Sequence, residues 1–114
     1  YQKGFKELKP STKQRFVAMS FSYPDEKIET DILVNETNID KAIAKKLVNI
    51  GNKIRNLTEL GLTETASTRL LVDAAKLIHS GLPKRLSVKV AIVEPLTDDL
   101  EIINALRDLC NLMI

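Results

Sequence analysis

The sequence predicts a mainly α-helical bundle of about five helices, preceded by one strand. Of the 114 residues, 44% are hydrophobic and 28% are charged, so the chain can bury a core. Aromatic residues make up only 4%, so that core must consist mainly of Leu, Ile, Val and Ala, which favours helices packed on helices. Apolar residues recur at helical spacing from Pro24 onward, whereas residues 16–23 alternate with a period of two.

The predicted strand covers about residues 16–23. One of its faces is uniformly apolar and consists of Val17, Met19, Phe21 and Tyr23. No second convincing strand follows, and a single strand has no partner for its backbone hydrogen bonds. The strand must therefore pair with chain outside this sequence or with another copy.

The first two predicted helices follow directly. Pro24 suits the first position of a helix that ends near Asn35. Its apolar face consists of Ile28, Ile32 and Leu33. Asp40 is a good N-cap for the second helix, whose apolar positions are Ile43, Leu47, Ile50, Ile54 and Leu57. Gly51 lies inside this helix at a cost of about 1 kcal/mol relative to Ala, which suggests close approach of another backbone.

The third predicted helix lies in the segment TETASTRLLVDAAKLIHSG, residues 63–81. Thr65 or Ser67 caps its start, and Gly81 stops it. Its inward positions are Leu70, Leu71, Ala74, Ala75, Leu77 and Ile78. Arg69 falls in the first turn, where a cation is unfavourable by about 0.3–1 kcal/mol because a helix N-terminus carries about half a positive charge.

Two further helices complete the prediction. Pro83 begins the fourth helix and Pro95 ends it. The apolar face of this helix consists of Leu86, Val90 and Val93. Thr97 caps the fifth helix, and Asp98 and Asp99 suit its first turn. The inward positions of the fifth helix are Leu100, Ile103, Leu106, Cys110 and Met113.

The chain has no catalytic set of its own. The phosphate-binding loop GxxxxGK[ST], the dinucleotide motif GxGxxG and the nucleophile motif GxSxG are all absent. We expect the single cysteine, Cys110, to be a small buried hydrophobe, and no residue cluster suggests a metal site. We expect His79 to have a structural role, because a positive charge is favourable near the C-terminal end of a helix. Without a signal-peptide or membrane-spanning pattern, we expect a cytoplasmic protein with no membrane partner.

Two arginines are candidate phosphate ligands. Arg69 opposes its helix dipole, and Arg15 opens the predicted strand. A charge-assisted hydrogen bond from arginine to phosphate contributes about 1.5–3 kcal/mol, which is enough to outweigh an unfavourable dipole. The alternative is that Arg69 reaches solvent or pairs with Asp73 four residues on, and spacing alone favours this alternative.

The net charge of +2 is unevenly distributed. Residues 1–16 carry five basic side chains against one acidic side chain, Glu7. A stand-alone helical interaction or nucleic-acid-binding module that uses this basic arm is therefore an alternative function. The sequence gives it little support, because the arm has few aromatic residues that could stack on bases, Phe5 and Phe16 among them, and we do not expect nucleic acid as a partner.

Three segments carry a resemblance to a known family: LKPSTKQRFVAMSFSYP, ASTRLLVDAAKLIHSGLP and VAIVEPLTDD. Together they closely resemble the C-terminal part of the CbbQ/NirQ/NorQ proteins, a branch of the MoxR-type AAA+ ATPases. The resemblance covers essentially the whole chain and implies an αβα nucleotide-binding core followed by a helical lid. Residues 1–23 would then be the tail of the core, with its last strand at about 16–23, and residues 24–114 would be the lid. The missing partner strands would lie upstream of Tyr1.

The resemblance also implies roles for particular residues. Arg69 matches the second sensor arginine, which reaches the γ-phosphate of ATP bound by the same subunit. Ser67 and Thr68 belong to the same helix start and are candidate ATP-binding residues with it. Arg15 matches the arginine finger that reaches the neighbouring subunit's ATP. Relatives often carry an arginine at the position of Lys13, so Lys13 is a second candidate for the finger.

Cofactors and partners follow from the same resemblance. The full-length protein would bind ATP and magnesium, hydrolyse ATP and form a homo-oligomeric ring, usually a hexamer. Its role would be chaperone-like activation of a client enzyme, nitric oxide reductase or Rubisco, together with a partner that contains a von Willebrand factor A domain. The Walker A loop and the Walker B acid would precede Tyr1. We therefore expect this chain alone to bind no cofactor and to hydrolyse no ATP.

Overall fold

The computed structural model describes residues 23–57 and 65–114, which form a bundle of five helices. The first three are α1 (Glu26–Thr37), α2 (Lys41–Arg55) and α3 (Thr68–His79). Helix α4 spans residues 84–96 and joins an α-helical turn Lys84–Val88, a π-helical segment Lys89–Val93 and a last α-helical turn Glu94–Leu96. Helix α5 is Leu100–Met113. The predicted helical bundle is confirmed, while residues 16–22 of the predicted strand lie outside the described residues.

Helix α3 is the centre of the bundle. It packs against α1, α2 and α4, and α5 packs against α2 and α4. The core between these helices is aliphatic, as the low aromatic content predicted. Its fully buried members include Leu33, Leu47, Val48, Ile50, Leu71, Ala74, Ala75, Ile92, Val93 and Leu96.

Helix α1 buries a face that matches the predicted one only in part, because Leu33 is fully buried as predicted. Asp25 is its N-cap, so Pro24 precedes the helix, and the helix continues beyond Asn35 to Thr37. Ile28, which was predicted to face inward, is 54% exposed. The buried positions of α1 are Glu29, Thr30, Leu33 and Thr37. Polar side chains occupy this face because each has a hydrogen-bond partner: the two threonine hydroxyls donate to carbonyls four residues earlier, and Glu29 binds side chains from other helices.

Helix α2 begins after Asp40, as predicted, but the Asp40 carboxylate accepts no capping hydrogen bond. The predicted close approach at Gly51 is also present, but it comes from a side chain and not from a backbone. A Cβ atom placed on Gly51 would lie 3.0 Å from Cδ1 and 3.3 Å from Cδ2 of Leu71 in α3. Glycine therefore allows the Leu71 side chain to pack directly against the α2 backbone.

Both ends of α3 follow local sequence rules. Ser67 is the N-cap, and its hydroxyl accepts a hydrogen bond from the Leu70 amide. Gly81 follows the helix with a φ of 110°, which favours glycine. Its amide donates to the Ile78 carbonyl and the Leu82 amide donates to the Leu77 carbonyl, the two bonds of a Schellman motif. Ser67 is thus the cap of the two that were predicted, and the predicted stop at Gly81 is confirmed.

Helix α4 differs from its prediction in two ways. Pro95 does not end the helix, which continues to Leu96. The Glu94 amide instead donates to the Lys89 carbonyl, five residues earlier, and this wider turn relieves the clash that a proline ring makes with the preceding turn. The predicted face was also misplaced: Val93 is buried, but Leu86 and Val90 are 45% and 43% exposed. Apolar residues occupy two adjacent stripes of α4, and packing selects the stripe of Val88, Ile92 and Leu96.

Helix α5 is capped by Asp99 and not by Thr97. The Asp99 carboxylate accepts hydrogen bonds from the amides of Glu101 and Ile102, at 2.9 and 3.4 Å. Thr97 acts one step earlier, because its hydroxyl accepts from the Asp99 amide. Leu100 was predicted to face inward, but as the first residue of the helix it is 72% exposed.

Candidate functional site

Arg69 lies in the first turn of α3 with its side chain exposed to solvent. Among the described residues it forms no hydrogen bond or ion pair, so the pair with Asp73 that the spacing allowed is not made. The first turn of α3 contains no acidic residue either. Among the described residues, no acidic side chain therefore pairs with this cation at the helix start.

The hydroxyl groups beside Arg69 are engaged within the bundle. Ser67 Oγ caps the helix by accepting from the Leu70 amide at 3.4 Å. Thr68 Oγ1 donates to Glu29 Oε2 of α1 at 2.7 Å. Of the three residues predicted at this helix start, Arg69 is thus the one whose side chain projects into solvent. The other predicted arginine, Arg15, and its alternative Lys13 lie outside the described residues.

A buried ion pair that sequence analysis missed lies directly behind this helix start. Arg55, the last residue of α2, donates from Nη1 to Glu29 Oε1 at 2.9 Å and from Nη2 to Glu29 Oε2 at 2.7 Å. The Glu29 side chain is 0% exposed and the Arg55 side chain is 6% exposed. Two parallel charge-assisted hydrogen bonds in a site this dry fix the geometry of both side chains.

The remaining contacts of Arg55 extend the pair into a larger group. Its Nε donates to the Ala66 carbonyl at 2.7 Å, and Nη1 also donates to Asn52 Oδ1 at 3.0 Å. The guanidinium carbon lies 3.8 Å from the centre of the Tyr23 ring. We refer to Tyr23, Glu29, Arg55, Ala66 and Thr68 as the Arg55 cluster.

Tyr23 connects the cluster to the segment before α3. Its hydroxyl forms a hydrogen bond of 2.6 Å with Thr65 Oγ1. Thr65 was one of the two predicted caps of α3, and its hydroxyl makes this contact while Ser67 serves as the cap. Tyr23, which precedes α1, and the residues that lead into α3 are therefore held to one buried arginine.

One sequence signal could have identified the ion pair. Glu29 lies four residues before Leu33, and Arg55 lies four residues after Gly51, so each charge falls on the buried face of its helix. Charged side chains are rarely buried unless they pair with an opposite charge. Opposite charges on the apolar faces of two neighbouring helices therefore indicate a buried ion pair. Local periodicity does not indicate this pair, because its members are 26 positions apart in the sequence.

The other titratable group with a distinct environment is Cys110 on α5. Burial raises the pKa of its thiol from 9.0 to about 11, so the sulfur remains protonated near neutral pH. A thiol in this state is a poor nucleophile and a poor metal ligand. The prediction that Cys110 is a small buried hydrophobe is confirmed.

The described residues contain no group of three or more His, Cys, Asp or Glu side chains arranged to hold a metal ion. Across residues 23–57 and 65–114, no helix has both the length and the apolar character that crossing a membrane requires. The distinctive features of this part of the chain are an exposed arginine, Arg69, that has no partner among the described residues at the start of α3, and the buried cluster behind that start.

Comparison with known proteins assigns the chain to a family. The family model for the C-terminal region of CbbQ/NirQ/NorQ proteins matches residues 29–113. The denitrification regulatory protein NirQ of Pseudomonas aeruginosa is 46% identical over 114 residues, which are 100% of this chain and 44% of that protein. Protein CbbQ of Hydrogenophilus thermoluteolus is 46% identical over 107 residues, 94% of this chain and 40% of that protein.

A third relative agrees with the first two. Protein NorQ of Paracoccus denitrificans is 45% identical over 109 residues, covering 96% of this chain and 40% of its own length. The chain thus spans less than half the length of the curated relatives it matches. The matched region begins at Glu29 and contains Arg55 and Arg69. The chain therefore belongs to the CbbQ/NirQ/NorQ family and corresponds to its C-terminal region.

Proposed function

We propose that this chain is the helical lid of an AAA+ ATPase that activates a client enzyme, and that Arg69 contacts the γ-phosphate of ATP bound by the same subunit. The observation that carries the proposal is the placement of Arg69. It is an exposed cation in the first turn of α3, and none of the described residues pairs with it. An anionic ligand at this position would turn an unfavourable charge into a favourable one.

The residues at this helix start fit a phosphate group. The first amides of a helix have no carbonyl partner within the helix and point toward its N-terminal end. A guanidinium group adds a planar pair of donors that matches two phosphate oxygens. When bound, ATP supplies the phosphoanhydride bond whose hydrolysis would drive remodelling. Arg69 would bind the terminal phosphate and thereby make the position of the helical bundle depend on the nucleotide.

The family membership supports wider proposals for the full-length protein. It would bind ATP with magnesium and assemble as a homo-oligomeric, hexameric ring. Arg15, with Lys13 as the alternative, would reach the ATP of the neighbouring subunit. The client would be an enzyme of the nitric oxide reductase or Rubisco type. The protein would act on it as a chaperone, together with a partner that contains a von Willebrand factor A domain. This activity would take place in the cytoplasm.

The direct test is ATP turnover by the full-length protein with Arg69→Ala. The loss of a charge-assisted contact of about 1.5–3 kcal/mol corresponds to a decrease in turnover of about 10- to 150-fold. Arg107→Ala is a matched control, because Arg107 is another surface arginine and pairs only with its exposed neighbour Asp108 among the described residues. Unchanged turnover in Arg69→Ala would remove Arg69 from the mechanism.

Arg15 requires a separate test, because its proposed contact is with the neighbouring subunit. Mixing Arg15→Ala subunits with subunits that carry Arg69→Ala distinguishes the two roles. A mixed ring contains some interfaces with both arginines intact, so it should recover part of the turnover that each variant ring lacks. If Lys13→Ala and not Arg15→Ala abolishes turnover, the role passes to Lys13.

A further inference from the structure

We infer that the Arg55 cluster positions Arg69, so that Arg55, Glu29 and Thr68 control ATP turnover without contacting the nucleotide. This inference rests on the proposed function of Arg69. The residues on either side of Ser67 are both bound by the cluster. Arg55 Nε holds the Ala66 carbonyl at 2.7 Å, and Glu29 Oε2 holds Thr68 Oγ1 at 2.7 Å.

Both contacts are made by the same ion pair, Arg55–Glu29. Arg55 and Glu29 bind each other through two hydrogen bonds and are almost entirely buried. The residues before and after the N-cap are therefore attached to the same ion pair, and Arg69 is the next residue in the chain. The Arg69 side chain forms no hydrogen bond or ion pair with the described residues. Its position therefore depends on the backbone of residues 66–68.

The precision of that position matters for a phosphate contact. A displacement of about 1 Å in a positioning group can reduce a rate by about 100-fold. A bidentate guanidinium contact is especially sensitive because two donors must meet two oxygens at once. An ion pair behind the helix start can therefore influence turnover although it is shielded from solvent.

Tyr23 extends the same connection to the residues that precede α1. Its ring covers the Arg55 guanidinium at 3.8 Å, and its hydroxyl binds Thr65 Oγ1 at 2.6 Å. A change in the position of Tyr23 would therefore affect residues 65–68 in two ways, directly through Thr65 and indirectly through Arg55. This arrangement couples the point where the chain enters the helical bundle to the start of the helix that carries Arg69.

The experiment measures kcat and KM for ATP in the full-length protein. Arg55→Lys keeps the positive charge but lacks the fork that holds Glu29 and the Ala66 carbonyl together, and Thr68→Val removes only the hydroxyl that binds Glu29. Each should lower kcat/KM by about 10-fold or more, with the effect bounded by the loss in Arg69→Ala. Thr68→Ser, which keeps the hydroxyl, should restore turnover. Arg107→Lys is the control for an arginine outside the cluster.

The decisive readout is the combination with Arg69→Ala. If Arg55 and Thr68 act through Arg69, Arg55→Lys and Thr68→Val should cause no further loss in the Arg69→Ala background. Equal losses in both backgrounds would show an independent structural or nucleotide-binding role and overturn the inference. If Arg55→Lys does not fold, the Thr68 series still gives the answer.

The two levels of the proposal fail in different ways. Normal turnover in Arg69→Ala would reject the proposed function, and the positioning role would be rejected with it. Impaired turnover in Arg69→Ala, together with normal turnover in Thr68→Val and Arg55→Lys, would reject the positioning role alone.

Discussion

Arg55 and Glu29 form a bidentate ion pair that joins the end of α2 to the first half of α1, with N–O distances of 2.9 and 2.7 Å. The pair lies in a bundle whose other interior contacts are mainly aliphatic. A buried ion pair adds little net stability compared with apolar residues at the same positions. Removing one of its two charged side chains, however, leaves the other as a buried, uncompensated charge.

Glu29→Ala should therefore destabilise the protein strongly. The Arg55 guanidinium would remain buried without its carboxylate, at a cost of about 3–5 kcal/mol in the free energy of unfolding. Denaturant unfolding measures this change. Asp108→Ala, which breaks the exposed pair with Arg107, is the control and should cost at most about 1 kcal/mol. Similar costs for the two variants would contradict the buried character of the Arg55–Glu29 pair.

Gly51→Ala should destabilise the protein although alanine favours helices. A Cβ atom would lie 3.0 Å from Cδ1 of Leu71, whose side chain is fully buried and has little room to move. The overpacking cost of about 1–3 kcal/mol exceeds the gain of about 1 kcal/mol in helix propensity. In a Leu71→Ala background the clash is absent, so the same substitution should stabilise by up to about 1 kcal/mol. A stabilising effect of Gly51→Ala in the otherwise unchanged protein would show that Leu71 can shift.

The adjacent residues Asp98 and Asp99 should differ in their effect on α5. Asp99→Ala removes a carboxylate that accepts hydrogen bonds from two first-turn amides, and should cost about 1 kcal/mol of unfolding free energy. Asp98→Ala is the matched control, because it removes an exposed carboxylate just outside the helix and should change stability by no more than about 0.5 kcal/mol. Thermal unfolding of the two variants provides the comparison, and equal effects would argue against Asp99 as the cap.

Cys110 should make stability decrease at alkaline pH. Burial raises the pKa of its thiol from 9.0 to about 11, so the folded protein holds this proton more tightly than the unfolded chain. The contribution is complete below pH 9 and is lost as the pH rises through about 11. At a pH of about 10.5 the loss amounts to about 2 kcal/mol. Cys110→Ala lacks this term, so its unfolding free energy should fall less between a pH of about 8 and about 10.5; parallel pH profiles would contradict the shift.

The features that sequence predicted correctly depend on neighbouring residues. Ser67 caps α3 because a serine hydroxyl reaches an amide three residues on, and Gly81 ends it because the chain needs a positive φ there. Arg69 was placed in the first turn for the same reason: the start of α3 could be located from its cap. The exposed position of its side chain follows from the inward face of Leu71, Ala74 and Ala75.

The features that sequence did not predict depend on residues far apart in the chain. Local periodicity chose Ile28 as a core residue of α1, but the buried face is the one on which Glu29 meets Arg55 of α2. In α4, two apolar stripes were available, and only packing decided that Val88 and Ile92 are buried while Leu86 and Val90 are partly exposed. An end of α4 was predicted at Pro95 because proline usually interrupts a helix, but a π-helical segment just before Pro95 allows the helix to continue to Leu96.

Tyr23 determines where the helical bundle can be separated from the rest of the protein for study. A recombinant fragment that started at Pro24 would match the predicted lid, yet it would remove the ring that covers the Arg55 guanidinium. Water would then reach an ion pair that is nearly dry in the intact arrangement. The start of an expressible domain should accordingly be placed upstream of Tyr23, and its properties should be compared with those of a fragment cut at Pro24.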